Sequence, residues 1–183
     1  PYTTLFRSQV PYMMEYLICN NGAIVMTGSI DLTGTKLPEL PRFGMRMELH
    51  QPYENLTYYG RGPFENYIDR YSGAFIGRYE DKVENQFYWY IRPQETGNKT
   101  DVRWLTLLDS GGLGVKITGL QPISFSALHF SPEDLDPGLT RKLQHTIDIV
   151  PQKNIFLHVD LKQRGLGGDN SWGMYPHNEY RLL

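Results

Sequence analysis

The sequence predicts an all-β protein built as an antiparallel sandwich. Apolar residues alternate with polar ones, which is the period of a strand with one buried face rather than of a helix. The alternation is clearest over residues 43–49 and 155–161. Turn residues separate the β-rich runs, as in Asn20-Asn21-Gly22 and Asp109-Ser110-Gly111-Gly112. Many short strands joined by such turns are typical of antiparallel sandwiches.

The remaining elements follow from composition and local signals. Further strands are predicted within residues 23–30, 56–59, 87–91, 102–108, 115–120 and 145–150. One short helix is predicted to start at Ser131-Pro132-Glu133-Asp134, because serine is a preferred N-cap and proline suits the first helical position. Pro137-Gly138 would end it early. A (β/α)₈ barrel is excluded, since it needs about 250 residues of alternating strand and helix.

Size and charge narrow the class of function. The chain has 183 residues, enough for one domain with a sizeable core. Its net charge is −2 and its basic residues form no cluster, which argues against nucleic acid and anionic membrane surfaces as partners. No apolar run approaches the roughly 20 residues that span a bilayer. Cys19 is the only cysteine, so no intramolecular disulfide can form, and both cytoplasm and periplasm remain open as compartments.

Two polar segments each have a structural and a functional interpretation. Residues 59–70 combine glycines, which allow tight turns, with side chains that form charge-assisted pairs. They form either an ion-pair network that fixes a long loop or a direct ligand contact. Residues 90–104 carry Glu95 and Asp101, which are either salt-bridged loop residues or a carboxylate pair for acid–base work on a sugar. The second role requires the carboxylates to face each other at roughly 5 to 10 Å.

A third segment, residues 163–173, places a tryptophan among glycines and polar residues. It lacks the Lys-Ser/Thr ending of a P-loop, so phosphate binding has little support. Trp172 is either a loop anchor tucked into the core or an exposed platform, since an indole face suits the apolar CH face of a sugar. In the second case Asp169 and Asn170 would meet the sugar hydroxyls.

Two common signatures of catalytic and metal sites are absent from the sequence. Its histidines have no metal-ligand spacing, and no serine lies in a Gly-x-Ser-x-Gly elbow. We therefore predict no metal ligand in this chain, and serine-hydrolase chemistry has no support.

Four motifs occur in the order found in one known family. They are Leu40-Pro41-Arg42-Phe43-Gly44-Met45, residues 59–70, residues 92–104 and Gly165-Leu166-Gly167-Gly168-Asp169-Asn170-Ser171-Trp172-Gly173. Together they cover about residues 22–182. In this order they resemble the C-terminal, small-chain domain of the β-galactosidases of glycoside hydrolase family 2.

The resemblance implies an antiparallel super-sandwich of the galactose mutarotase-like type. It would be the last domain of a large enzyme, a homo-oligomer in its complete form, that hydrolyses terminal β-D-galactosides with retention of configuration. In that family the catalytic glutamates and a magnesium site lie in a preceding barrel domain, so the resemblance implies no catalytic residue and no cofactor in this chain. The one active-site residue that the resemblance places in this chain is Trp172, whose indole would reach the barrel and stack on the sugar or aglycone.

The resemblance also sets expectations for the ends of the chain. Residues 1–8 look like a translated sequencing adapter and are predicted to be a non-native scar. Residues 9–183 are then an incomplete domain, expected to lack strands before Gly22 and a closing strand after Leu183. Missing strands would leave open sheet edges and an uncovered core.

Two other functions compete with an accessory domain that is inactive alone. A free-standing sugar epimerase of the mutarotase type would need a His and Glu acid–base pair in one cleft, for which His129 or His158 with Glu65 or Glu95 are the candidates. A non-catalytic carbohydrate-binding module would bind galactosides through Trp172.

Overall fold

The computed structural model describes residues 10–34, 39–136, 138, 145–170 and 172–182, and the regular structure within them is almost entirely β. The strands are β1 (Tyr12–Ile18), β2 (Ile24–Ile30), β3 (Arg42–Leu49), β4 (Asn55–Gly62), β5 (Phe75–Lys82), β6 (Lys99–Leu108), β7 (Gly114–Leu128) and β8 (Ile155–Gln163). Every pairing between them is antiparallel. The prediction of an all-β antiparallel fold class is confirmed.

The chain divides into two compact units, residues 1–40 and 41–183. In the first unit β1 and β2 form a hairpin whose turn ends at Gly22, with a φ of +83°. The sequence prediction contains β2 but not β1, because β1 is apolar along most of its length and shows little alternation. The predicted scar at residues 1–8 lies outside the described residues.

The second unit holds a six-stranded sheet in the order β3-β8-β7-β6-β4-β5. Alternate side chains of each strand point to one face, where the main core lies. Its largest contributors are Leu56, Tyr58, Leu105, Leu107, Phe125, Ile155 and Leu157. Along β8 the residues between these core positions, Phe156, His158 and Asp160, therefore face the opposite side of the sheet.

Two predicted strands are wrong, and β5 joins β1 as a strand that the sequence analysis does not predict. Residues 87–91 form no strand, and residues 145–150 contain a 3-10 turn at Thr146–Asp148. Their apolar side chains serve a second, smaller core of Phe87, Leu128, Phe130, Leu135 and Ile149. Strand β5 is charged and mostly exposed because it pairs only with β4 at the sheet edge, which removes the alternation that identifies a strand.

The predicted short helix is confirmed as α1 (Pro132–Leu135), with Ser131 as its N-cap. The Ser131 hydroxyl accepts a hydrogen bond from the Asp134 amide at 3.1 Å, and the Asp134 carboxylate accepts one from the Ser131 amide at 2.8 Å. This reciprocal capping fixes the helix start. Pro137, predicted to help end the helix, lies outside the described residues. None of the helices seen in the described ranges has the length and apolar character of a membrane span.

Candidate functional site

The glycine-rich loop that follows β8 is closed by hydrogen bonds between its own two sides. The Gly165 amide donates to the Tyr180 carbonyl, and the Gly168 amide donates to the Met174 carbonyl, both at 2.8 Å. At its base the Arg164 amide donates to the carbonyl of Pro41, next to the start of β3, at 2.9 Å. We call residues 164–180 the Trp172 loop.

A carboxylate from a distant motif anchors this loop. Asp69 Oδ2 accepts a hydrogen bond from the Gly167 amide at 2.8 Å, although the two residues are 98 positions apart in sequence. A side chain on Gly165 would place its Cβ 2.6 Å from the same oxygen, so the close approach requires glycine. Gly167 has a φ of +68°, which also favours glycine. The motifs of residues 59–70 and 163–173 therefore meet at Asp69.

Trp172 stands at the exposed end of the loop. Its side chain is 91% exposed, so it is not tucked into the core of this chain. The Trp172 amide donates to Asn170 Oδ1 at 2.9 Å, which fixes the backbone that carries the indole. The neighbouring Met174 and Tyr175 are also exposed. That the indole meets a sugar stays a prediction.

Asp169 is paired within the loop rather than left open. Its Oδ2 lies 2.5 Å from His177 Nε2, and this hydrogen bond raises the pKa of His177 above its ordinary value. Because the folded-state pKa is raised, the pair is fully formed at pH values below the ordinary histidine pKa. It is lost as the pH rises through the raised value. The structure thus brings Trp172, Asp169 and Asn170 into one loop. The side chains of Asp169 and Asn170 both form hydrogen bonds with other residues of that loop.

The segment of residues 59–70 is a structural network. Asn66 is 1% exposed, and its side-chain amide donates to the carbonyls of Arg61 at 3.1 Å and Phe64 at 2.9 Å. Its Oδ1 accepts from the amide and hydroxyl of Thr100 at 2.9 and 2.5 Å. Glu65 Oε2 accepts from the Gly97 amide at 2.8 Å. These bonds tie the segment to residues 96–100, as the structural interpretation predicts.

Glu95 and Asp101 are each salt-bridged to a different arginine. Glu95 Oε2 lies 2.8 Å from an Arg42 guanidinium nitrogen, and Asp101 Oδ2 lies 2.5 Å from Arg61 Nε. The structural interpretation again accounts for both. Arg42 also reaches Asp160, which is 2% exposed, at 3.5 Å. Burial raises the pKa of the Asp160 carboxyl to about 6.

The two histidine candidates for an acid–base pair have different surroundings in the structure. His129 Nε2 lies 3.1 Å from the Glu54 carboxylate, so its partner is neither of the proposed glutamates. His158 and Glu95 line one cleft, and Arg42 bonds to both. Burial, followed by the charge of Arg42, lowers the pKa of His158 to about 4, so the imidazole is neutral at pH 7. Within the described ranges no group of three or more His, Cys, Asp or Glu side chains is suited to a metal ion.

Sequence reasoning missed two residues that position the Trp172 loop, Asp69 and His177. Asp69 belongs to a recognised motif, but nothing in the motif indicates a partner 98 residues away. His177 follows Trp172 closely in sequence, and its place after a glycine-rich turn was the only available signal.

Replacing Asp69 with alanine is expected to loosen the Trp172 loop. The variant removes a hydrogen bond to a charged acceptor, so hydrogen exchange of the Gly167 amide should accelerate by about tenfold or more. Hydrogen–deuterium exchange with mass spectrometry, on peptides covering residues 164–178, measures this. Glu179→Ala removes an exposed carboxylate of the same loop and should leave the exchange unchanged. Equal exchange in wild type and Asp69→Ala would show that Asp69 is not the anchor.

Comparison with known proteins places the chain in a family. The family model described as "Beta galactosidase small chain" matches residues 2–183. The chain is 38% identical over 169 residues to a β-galactosidase of Priestia megaterium, with 92% of this chain and 16% of that protein covered. It is 35% identical over 176 residues to one of Streptococcus thermophilus, with 96% of this chain and 17% of that protein covered.

A third relative extends the match to almost the whole chain. The β-galactosidase of Halalkalibacterium halodurans is 32% identical over 184 residues, covering 99% of this chain and 18% of that protein. The chain thus spans between 16% and 18% of the length of these relatives. By the match of the family model over nearly its full length, the chain belongs to the β-galactosidase small-chain family.

Proposed function

We propose that this chain is the part of a retaining β-galactosidase that presents Trp172 to an active site formed mainly by another domain. The observation that carries the proposal is an indole that is 91% exposed on an anchored loop. A large aromatic side chain that is exposed to water adds little to the stability of this chain, whereas stacking on a sugar would bury its apolar face. The small-chain family supports a galactoside as the ligand.

The geometry of the loop suits this role. A platform must be held still, since each side chain immobilised on binding costs about 0.5–1.5 kcal/mol. Asp69 fixes the base of the loop, and Asn170 fixes the Trp172 backbone before any ligand arrives. Asp169 belongs to the same loop as Trp172, and its carboxylate, paired with His177 through Oδ2, keeps a second oxygen that can accept hydrogen bonds. We propose that Asp169 and Asn170 approach the sugar hydroxyls at the edge of the indole.

The catalytic step is assigned to residues outside this chain. Retaining glycosidases use two carboxyl groups about 5–5.5 Å apart that flank the scissile bond. Glu65, Glu95 and Asp101 are each bonded to groups that stabilise the loops. We propose that the nucleophile, the acid–base residue and any magnesium ion belong to a barrel domain of the same enzyme.

Activity measurements on two forms test the proposal. The full-length protein should hydrolyse a nitrophenyl β-D-galactoside with retention, followed by NMR of the first-formed anomer, and should leave the α-galactoside intact. The 183-residue chain alone should hydrolyse neither. Hydrolysis by the chain alone would contradict the proposal, as would a full-length protein that prefers the α-anomer.

An epimerase is the second candidate, because His158 and Glu95 share a cleft as that chemistry requires. The same chain preparation distinguishes the two functions when the optical rotation of fresh α-D-galactose is followed. If α-D-galactose converts no faster than in buffer alone, the result supports an accessory domain that is inactive alone. Conversion that is faster than in buffer, and that is lost in His158→Ala, supports the epimerase.

A further inference from the structure

A cleft of about 270 Å³ lies on the face of β7 and β8 opposite the main core. Ser126 of β7 and His158 of β8 contribute from the sheet, while residues 93–96 and the short helix α1 line its sides. Ligand pockets for drug-sized molecules begin at about 300 Å³, so this cleft suits a molecule the size of one sugar ring. None of the described residues of the Trp172 loop lines it.

Part of the cleft is apolar and aromatic. Phe130 and Phe156, which are 4% and 6% exposed, both line it, together with Leu128 and Leu135. Apolar surface of this kind matches the CH faces of a pyranose, whereas a fully hydrated ion would gain nothing from it.

The polar part of the cleft is organised by Arg42. One guanidinium nitrogen donates to Glu95 Oε2 at 2.8 Å, and another donates to His158 Nδ1. Since the neutral ring accepts through Nδ1, its proton lies on Nε2, which has no hydrogen-bond partner among the described residues. Glu95 Oε1 is likewise unpaired within that part of the chain. The cleft therefore combines one free donor with one free acceptor, the pair that a hydroxyl group can satisfy.

Local sequence explains how Arg42 comes to this position. It is the first residue of β3, and a register shift follows between Phe43 and Gly44. A Cβ on Gly44 would lie 2.3 Å from Asp160 Oδ1, so only glycine lets β3 approach β8 this closely. The bulge and Gly44 thus set the guanidinium beside the polar groups of β8.

Charge in the cleft favours a neutral ligand. The guanidinium of Arg42 faces the carboxylates of Glu95 and Asp160, so it offers no uncompensated positive charge. Asp136 adds an acidic group to the lining. A second cation on β3, Arg46, is paired with Glu133 at 2.8 Å. Among the described residues, an anion such as a sugar phosphate would therefore meet carboxylates and no unpaired cation.

We propose that this cleft binds a single neutral sugar ring, or a polyol of the same size, independently of Trp172. Glu95 accepts from one hydroxyl and His158 Nε2 donates to another, while the aromatic walls cover the CH surface. Binding here does not depend on the proposed galactosidase function, because the cleft is lined by none of the residues that the structure describes in the Trp172 loop.

The experiment follows methyl NMR signals of the full-length protein during titration with D-galactose. Leu128 and Leu135 line the cleft and should shift with saturation, whereas Leu157, on the core face, should stay in place and report an intact fold. Glu95→Gln keeps the size of the side chain but removes its charge, and should weaken the Kd by about tenfold. Trp172→Ala should leave the same Kd unchanged.

Three results would overturn the proposal. The first is the absence of saturable shifts at Leu128 and Leu135 in a wild-type protein that still hydrolyses galactosides. The second is loss of these shifts in Trp172→Ala, which would assign them to the other site. The third is tighter binding of galactose 6-phosphate than of D-galactose, because it would show an anion site. Failure of galactoside hydrolysis with normal shifts would instead contradict only the proposed function.

Discussion

Replacing Asn66 with alanine should lower the free energy of unfolding by about 3–5 kcal/mol. The Asn66 side chain is 1% exposed. It donates to two carbonyl groups and accepts from the amide and the hydroxyl of Thr100. Alanine would leave these partners without their hydrogen bonds to the side chain, and each buried group left unsatisfied costs about 1–3 kcal/mol. Urea unfolding of the chain, followed by tryptophan fluorescence, measures the change.

Asn55 provides the matched control for this prediction. It is an asparagine at the start of β4, but it is exposed, and among the described residues its side-chain amide donates to the Asp109 carbonyl alone, at 3.1 Å. Asn55→Ala should therefore cost about 0.5 kcal/mol or less. If both variants lose the same stability, the network around Asn66 is not what holds residues 59–70 to residues 96–100.

Replacing Trp172 with alanine in the full-length protein should raise KM for β-galactosides by roughly five- to tenfold. The melting temperature should hardly change, because a 91% exposed side chain contributes little to folding. Steady-state kinetics and a thermal unfolding curve give both quantities from one preparation.

Two further variants sharpen the Trp172 result. Trp172→Phe keeps an aromatic face and should recover most of the affinity. Leu120→Ala removes another fully exposed apolar side chain, outside the loop, and should leave KM as in the wild type. A Trp172→Ala protein with a collapsed melting temperature and an unchanged KM would make the indole a structural anchor, contrary to the proposal.

Much of the fold follows from local patterns in the sequence. Strands β3 and β8 alternate because one face of each covers the core, so their period is visible without any tertiary information. Helix α1 is equally local, since Ser131, Pro132 and Asp134 carry its whole start signal. Strand β5 escapes prediction because an edge strand needs no apolar face, and its pairing with β4 is decided by the rest of the sheet.

The geometry of the candidate site, by contrast, follows from local sequence only in small part. The identity of Trp172 as an unusual residue is local, because glycines and polar residues surround it. Whether an indole in such a loop is buried or exposed depends on neighbours contributed by other elements, so composition leaves both interpretations open. The positions of Asp69 and of Arg42 depend on contacts across 98 and 116 residues, for which a single sequence carries no signal.

The anchoring of the Trp172 loop by Asp69 has a consequence for mutational screens. Asp69 never needs to touch a ligand, yet a variant at this position that folds normally would misplace the indole. A screen scored by growth on a galactoside would then mark residues 59–70 as part of the binding site. Paired measurements of abundance and activity separate the two cases: Asn66 variants should lose protein, whereas Asp69 variants should keep protein and lose affinity.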